Sequence, residues 1–414
     1  MNKFSGIIFL LASVCTLSAF AEKWPPAVVE SNGRKVDVFR HGVRKQWGYE
    51  KDQNDTVIVV YPKVERRNAP LYVVLHSAGH NVFNTVKCTN QVGDHDIYRS
   101  PDDFYALYLD CRSSEIDWWW GGRSPYRSTL NDIKGGSSLQ PVEKRVISTV
   151  KWAIEKYGIN KNRVYLAGNS MGGSGALGIG MRHGELFAAI KANVPAGIEH
   201  VSDRMYFPPA SIPEGVKLPD PPVTIDYSGH NDRWSLGHER FIKAMNDRKY
   251  PLYFYWGAFG HANNHSVILR HNDLINSFDW LNVKKNEAYA VFTNASCNDQ
   301  LPEFGDRKST DKKSGQINAF FRWKNISDTA DKLEISLYLI SAGELETTFK
   351  IPVEATADVS LRRIQNMKIK PGQKLNWSFG HAQGKVKAVK EGVITIPGMK
   401  ITDKPIKLTI SLDQ

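Results

Sequence analysis

Arg163-Val164-Tyr165-Leu166-Ala167-Gly168-Asn169-Ser170-Met171-Gly172-Gly173-Ser174-Gly175-Ala176-Leu177-Gly178-Ile179 joins an apolar run to a run of small residues through a Gly-x-Ser-x-Gly turn. The apolar half reads as a short buried strand and the small-residue half as a helix. A serine on so tight a strand-to-helix turn holds strained backbone angles, and the flanking glycines let neighbouring chain approach without a Cβ clash. The turn exposes the Ser170 hydroxyl and puts the Met171 N–H at a helix N-terminus, where it can stabilise an oxyanion.

Outward from that turn, apolar runs alternate with amphipathic stretches from Lys35 to about Lys284. Strands are expected at Val36–Phe39, Thr56–Tyr61, Leu71–His76, Phe104–Asp110, Val164–Gly168, Ala188–Val194, Val223–Ser228 and Leu252–Trp256. Several are apolar throughout, as strands covered on both faces are. Helices are expected over Pro141–Tyr157, stopped by Gly158, and over Met171–His183, Gly237–Arg248 and Val267–Val283. The alternation predicts an α/β domain, a mostly parallel sheet with helices on both faces. Its first two strands, joined through Asn54-Asp55, read as an antiparallel start.

Beyond Val283-Lys284-Lys285-Asn286 the texture changes. Short alternating segments follow at Ile317–Trp323, Leu333–Ile340, Thr347–Ile351, Val359–Ile364, Leu375–Phe379, Val393–Ile396 and Ile406–Leu412. Gly, Pro, Asn and Asp separate them, which predicts a smaller all-β, sandwich-like domain. At the other end, Lys3, the apolar stretch Ile7–Phe20 and Ala19-Phe20-Ala21 have the form of a secretory leader cleaved after Ala21. The apolar run is short for a membrane span, so secretion or periplasmic delivery is expected, with no stable membrane insertion after cleavage. The 414 residues are thus read as a leader (1–21), an α/β catalytic domain (22–286) and a β-sandwich (290–414).

Lys and Arg number 54 against 43 Asp and Glu, a formal net charge of +11. The cations are spread thinly, without an arginine-rich or aromatic-interleaved stripe, which argues against nucleic acid as a partner. A mild cationic excess draws an exported protein toward anionic polysaccharide or a cell surface, and is equally what solubility requires. Cys88, Cys111 and Cys297 lack the paired close spacing of a zinc site. Cys88 and Cys111 could form a disulfide, or all three could be buried thiols. His95 lies between Asp94 and Asp96 but has no H-x-x-x-H or cysteine companion. No metal and no cofactor are expected.

A serine nucleophile needs a base, a group to orient it and a second oxyanion donor. On a sheet of this kind the chain order is serine, acid, histidine. Val223-Thr224-Ile225-Asp226-Tyr227-Ser228 ends in Gly229-His230-Asn231-Asp232, and Asp232 is the expected acid. Asp226 is its rival, but it stands inside the strand. Leu252-Tyr253-Phe254-Tyr255-Trp256 leads to Gly257-Ala258-Phe259-Gly260-His261, and His261 is the expected base, with His265 close enough to substitute. Upstream, Leu71–Leu75 ends in His76-Ser77-Ala78-Gly79-His80, where Ser77 or Ala78 would supply the second oxyanion N–H and His76 would hold the loop or touch substrate. Trp118-Trp119-Trp120 follows the strand at Phe104–Asp110 and offers an aromatic substrate platform, with at least one indole packing inward. Trp234 is a further lining candidate.

These residues resemble the α/β-hydrolase superfamily, and within it the secreted feruloyl esterase, acetyl xylan esterase and polyhydroxybutyrate depolymerase group. The motifs that carry the resemblance are Leu75-His76-Ser77-Ala78-Gly79, the turn at Ser170, Gly229-His230-Asn231-Asp232 and Gly260-His261, within residues 35–284. Ser77 stands where glycine is usual after the histidine. The resemblance implies two-step acyl transfer by Ser170, His261 and Asp232 on an ester-substituted polysaccharide or a small ester. A polyester hydrolase or a serine peptidase would use the same constellation. A non-catalytic polysaccharide-binding protein, with Trp323 and Trp377 stacking on sugars, is the reading from a different class. The oligomeric state is not legible in the sequence.

Overall fold

A computed structural model describes residues 22–23, 31–40, 47–49, 55–90, 95–111, 118–119, 139–261, 274–345, 347, 349–389 and 393–413. The leader reading (1–21), Trp120 and His265 lie outside the described residues. The first part of the chain contributes strands β1 (Glu22–Lys23), β2 (Val36–Arg40), β3 (Thr56–Val60), β4 (Leu71–Leu75), β5 (Tyr105–Leu109), β6 (Val164–Asn169), β7 (Ala189–Asn193), β8 (Val223–Gly229) and β9 (Leu252–Gly257). Helices α1 (Val82–Cys88), α2 (Pro141–Tyr157), α3 (Met171–Gly180), α4 (Ile198–Arg204) and α5 (His238–Asp247) lie between them. The strand order is β1-β2-β3-β5-β4-β6-β7-β8-β9, closed at the far edge by a short strand from later in the chain. The six strands from β5 to β9 are mutually parallel, and β1, β2 and β3 form the antiparallel start. With β4 and β5 exchanged in that order and the serine turn leaving the central β6, this is the α/β-hydrolase fold.

Alternation along each strand divides the core between two faces. Leu71, Val73 and Leu75 of β4 join Val142, Val146 and Val150 of α2 and Leu177 of α3 on one side. Tyr72 and Val74 join Val82 and Val86 of α1 on the other. Helix α2 begins at Pro141, which needs no N–H partner there, and Glu143 caps the Gln140 N–H at 3.1 Å. Gly158 ends it at φ +61°.

Two antiparallel sheets complete the molecule. One has the order β10 (Tyr289–Thr293), β14 (Glu354–Arg362), β17 (Ile394–Thr402). The other has the order β12 (Phe321–Asp328), β13 (Lys332–Leu339), β18 (Ile406–Leu412), β15 (Lys374–Phe379), β16 (Ala382–Lys387). Val291, Leu361 and Ile396 of the first share one core with Leu333, Ile335 and Leu408 of the second, and that core continues onto the β9 face through Tyr253 and Tyr255. Two arginines fasten the junction. Arg362 donates to the carbonyls of Lys249 and Arg248 and pairs with Asp220 at 2.7 Å. Arg363, buried and at φ +57°, donates to the carbonyls of Ala188, Phe187, Pro221 and Gly184 at 3.2–3.5 Å. A buried guanidinium without such acceptors would cost several kcal/mol, on the order of 3–5.

Several expected elements differ from the structure. Ile317–Trp323 is two strands: β11 (Gly315–Ile317) pairs antiparallel with β9, and Phe321 opens β12 in a different sheet. Asn318 breaks the run at φ +59°, its amide donating to the carbonyls of Leu252 and Phe292. The large sheet therefore takes its last strand from beyond residue 290. Thr347–Ile351 forms no strand among its described residues, and Trp280–Asn282 is a single 3₁₀ turn where the end of a long helix was expected. Cys88 and Cys111 are separate thiols, not a disulfide.

Candidate active site

Ser170 sits between β6 and α3 at φ +54°, ψ −114°. A non-glycine residue held there costs on the order of 1–3 kcal/mol and persists only where neighbours over-determine it. They do: Ser170 N–H donates to Asn193 O at 2.9 Å, and Ser170 O accepts from Ser174 N–H and Ala196 N–H at 3.0 and 3.1 Å. Close approach accounts for the glycines on either side. A Cβ on Gly168 would overlap the Gly172 carbonyl, and one on Gly172 would overlap the Leu75 carbonyl at the end of β4.

Two loops after parallel strands meet at the serine. Ser170 Oγ lies 2.7 Å from His261 Nε2, and His261 Nδ1 lies 2.5 Å from Asp232 Oδ2. An ionised carboxylate only accepts, so the network assigns the imidazole proton to Nδ1 and leaves the Nε2 lone pair facing the Ser170 hydroxyl. Asp232 is buried and its second oxygen accepts the Trp234 N–H at 3.1 Å, whereas His261 is 35% exposed. Asn231 Oδ1 accepts the Gly260 N–H at 2.7 Å, and His230 N–H donates to Gly257 O at 2.9 Å, locking the acid loop to the base loop. Asp226 is elsewhere: fully buried in β8, it faces His238 Nε2 at 3.1 Å. His238 Nδ1 is 2.6 Å from Ser235 O, and Ser235 Oγ donates to Asp232 O at 2.7 Å. This second, dry carboxylate–imidazole pair thus braces the turn that holds the first.

Of the two oxyanion donors expected after β4, the structure removes one. Ser77 N–H donates to the Tyr98 hydroxyl at 3.0 Å, so it cannot also point at a reacting oxygen. Ala78 N–H and Met171 N–H have no acceptor among the described residues, and these two can polarise a carbonyl. Ser77 works through its side chain. Its Oγ donates to Asn169 O at 3.1 Å and accepts from Asn169 Nδ2 at 2.8 Å and from the Tyr98 hydroxyl at 2.7 Å. Burial pushes the Tyr98 phenol well above its ordinary value, so it stays a donor. Nothing in the sequence around Tyr98 marks it for this role; its partner is fixed only by the fold.

The aromatic platform is corrected in the same way. Trp119 is fully buried, its Nε1 donating to His76 O at 2.8 Å and its ring edge-on to the His76 imidazole. It fills the space that Gly175 leaves on α3, where a Cβ would stand 2.5 Å from Trp119 Cβ. Trp118 is buried as well. Trp119 is core beneath the Ser170 turn, and Trp118 is buried in the same core. His76 is also buried: Nδ1 donates to Ser77 O at 2.8 Å and Nε2 accepts the Cys111 N–H at 2.9 Å, so it holds the loop. Trp234 remains half-buried beside Asp232, with the Arg233 guanidinium 4.3 Å from its ring centre. His95 stacks on Tyr98 at 5.0 Å, and no cluster of three His, Cys, Asp or Glu fit for a metal exists among the described residues.

No family model matches the chain, and neither does any curated protein. Solved structures similar to it include the fluorophosphonate-binding serine hydrolase F of Staphylococcus aureus, at 12% identity and a TM-score of 0.39 over 60% of this chain and 98% of that one. An S-formylglutathione hydrolase from Agrobacterium tumefaciens is 14% identical, with a TM-score of 0.39 over 61% of this chain and 96% of its own. A ferulic acid esterase is 15% identical, with a TM-score of 0.36 over 56% and 95%. At such values nothing about substrate passes from these proteins to this one.

Proposed function

We propose that this chain is a serine esterase that cleaves carboxylic esters through an acyl-enzyme, acting after export on acetyl or feruloyl esters of a polysaccharide. The observation that carries the reading is the continuous chain Ser170 Oγ–His261 Nε2, His261 Nδ1–Asp232 Oδ2 at 2.7 and 2.5 Å, set at the carboxyl ends of parallel strands. Ser170 Oγ attacks the ester carbonyl while His261 Nε2 takes its proton, and Asp232 holds the imidazole in the tautomer that leaves Nε2 free to accept. The tetrahedral oxyanion is stabilised by Met171 N–H, first in α3, and by Ala78 N–H. His261 then protonates the departing alcohol, and water activated by the same nitrogen hydrolyses the acyl-enzyme. A partly exposed His261 suits a substrate presented on the outside of a polymer.

A fluorophosphonate probe should phosphonylate Ser170 of the wild-type chain with loss of fluoride, adding the probe's mass less HF, and leave Ser170→Ala unlabelled. The same pair should differ by at least about a thousandfold in kcat on p-nitrophenyl acetate. Equal hydrolysis by the two would sink the proposal. A panel of acetylated xylan, methyl ferulate and a polyester film then distinguishes the acyl groups.

A further inference from the structure

The segment between β10 and β11 runs beside the acid and base loops. Gly305 N–H donates to His230 O at 2.8 Å, and Phe304 N–H donates to Glu239 Oε1 at 2.9 Å. Phe304 is buried against His238, Phe254 and Trp256. At its other end Gly315 pairs with Trp256, the residue before β9 ends at Gly257. One end is therefore pinned to the loop that delivers Asp232 and the other to the strand that leads to His261.

What lies between those pins is largely exposed and carries four cations against two acids. Arg307, Lys308, Lys312 and Lys313 all face solvent, and none has a carboxylate partner among the described residues. Two acids stand between the pins and are turned to the local backbone, while Asp299 and the exposed Glu303 precede the first pin. Asp306 Oδ1 accepts the Lys308 N–H and Asp311 Oδ1 the Lys313 N–H, each at 2.9 Å. Arg233, also exposed, extends the positive rim to the residue after Asp232.

We propose that the stretch 306–314, with its four cations, is a positive rim of the active site and that the ester it serves is carried on an anionic, uronate-containing polysaccharide. This rests on the ester-hydrolase reading and names its substrate class. The cations form two pairs separated by Ser309, Thr310 and Asp311, so they can meet carboxylates at separate points along a polymer. A small anion would need donors converging on one buried point, and a rim of long exposed side chains does not provide that. Charges of one sign around a reaction site raise the local concentration of an oppositely charged substrate, and salt removes the effect.

The test compares acetylated polygalacturonate with acetylated xylan, per acetyl group, at about 20 mM and about 0.5 M salt, where screening lengths differ several-fold. The wild type should favour the anionic polymer roughly tenfold in kcat/KM at low salt, and the preference should vanish at high salt. The variant R307Q/K308Q/K312Q/K313Q should lose that preference, with KM on acetylated polygalacturonate rising relative to its own KM on p-nitrophenyl acetate. Equal rates on the two polymers at low salt, or a variant that keeps the preference, would overturn the rim. So would sedimentation of the wild type with phosphatidylglycerol vesicles in the absence of any polymer preference. Failure of the wild type on p-nitrophenyl acetate would instead overturn the esterase reading beneath it.

Discussion

Ser77 and Asn169 exchange two hydrogen bonds: Asn169 Nδ2 donates to Ser77 Oγ at 2.8 Å, and Ser77 Oγ donates to Asn169 O at 3.1 Å. The loop after β4 is thereby tied to the residue before Ser170, so the spacing of the Ala78 and Met171 N–H groups, which have no acceptor among the described residues, is set by a side-chain contact. Tyr98 closes the knot from behind, accepting the Ser77 N–H and donating to its Oγ.

Loosening that knot should reduce transition-state stabilisation more than substrate binding. Tyr98→Phe removes one donor and one acceptor, and is expected to lower kcat about tenfold to a hundredfold on p-nitrophenyl acetate with KM changed less than about threefold. Ser77→Ala should act in the same direction. Steady-state kinetics of the two variants measure this; a loss confined to KM would show that the loop contacts substrate and does not position the oxyanion donors.

The two buried carboxylates of the acid region should separate cleanly. Asp232→Asn preserves shape but disfavours the tautomer that His261 needs, so kcat should fall by about 10³–10⁴ with little change in melting temperature. Asp226→Asn breaks the pair with His238 in the core, and is expected to cost about 3–5 kcal/mol of stability. Urea denaturation and kinetics of both variants decide between these roles. An Asp226→Asn protein as stable as wild type but inactive would reverse them.

Why some of this is legible in the sequence follows from the range of each interaction. Ser170, Asp232 and His261 each lie a few residues past an apolar strand, and Gly168 and Gly172 flank the first, so local pattern alone marks them as candidates to meet. The mostly parallel sheet follows from the same alternation, whereas the order of its strands is not legible there. Ser77 N–H is committed to a hydroxyl 21 residues away, and that commitment leaves no local trace. Trp118 and Trp119 look like a platform because they follow the carboxyl end of a strand, where loops surround the site. The burial of Trp119 depends on the hollow that Gly175 leaves on α3. Ile317–Trp323 has one continuous β pattern, but Asn318, bonded to two carbonyls, divides it between two sheets.

Gly172→Ala adds one methyl group and should be among the most damaging single substitutions in the chain. The new Cβ would overlap the Leu75 carbonyl oxygen and crowd that of His76, both backbone atoms that cannot move without shifting β4 and the oxyanion loop. A loss of about 3 kcal/mol or more is expected, read as a lowered urea midpoint, together with loss of fluorophosphonate labelling. Gly343→Ala, where a Cβ would meet nothing, is the matched control and should leave both unchanged.

Acid should weaken the fold through Glu143. Burial alone would raise its pKa, but a hydrogen bond from His183 and the charges of Arg204 and Arg182 hold it down at about 2. Since the unfolded carboxylate titrates near 4.5, the unfolded chain binds this proton first, and stability falls as pH drops from about 4.5 toward 2. The full contribution, on the order of 3 kcal/mol, is present above that window. Glu143→Gln leaves Arg204 and Arg182 buried without their carboxylate, so at neutral pH it should be markedly less stable than wild type. Below pH 4.5 the unfolded wild type takes up this proton while the folded carboxylate keeps its charge until about pH 2, so the wild type's advantage shrinks and the two urea midpoints should converge as pH approaches 2. A gap of constant size across that range would mean that the Glu143 carboxylate is not what the two arginines stabilise.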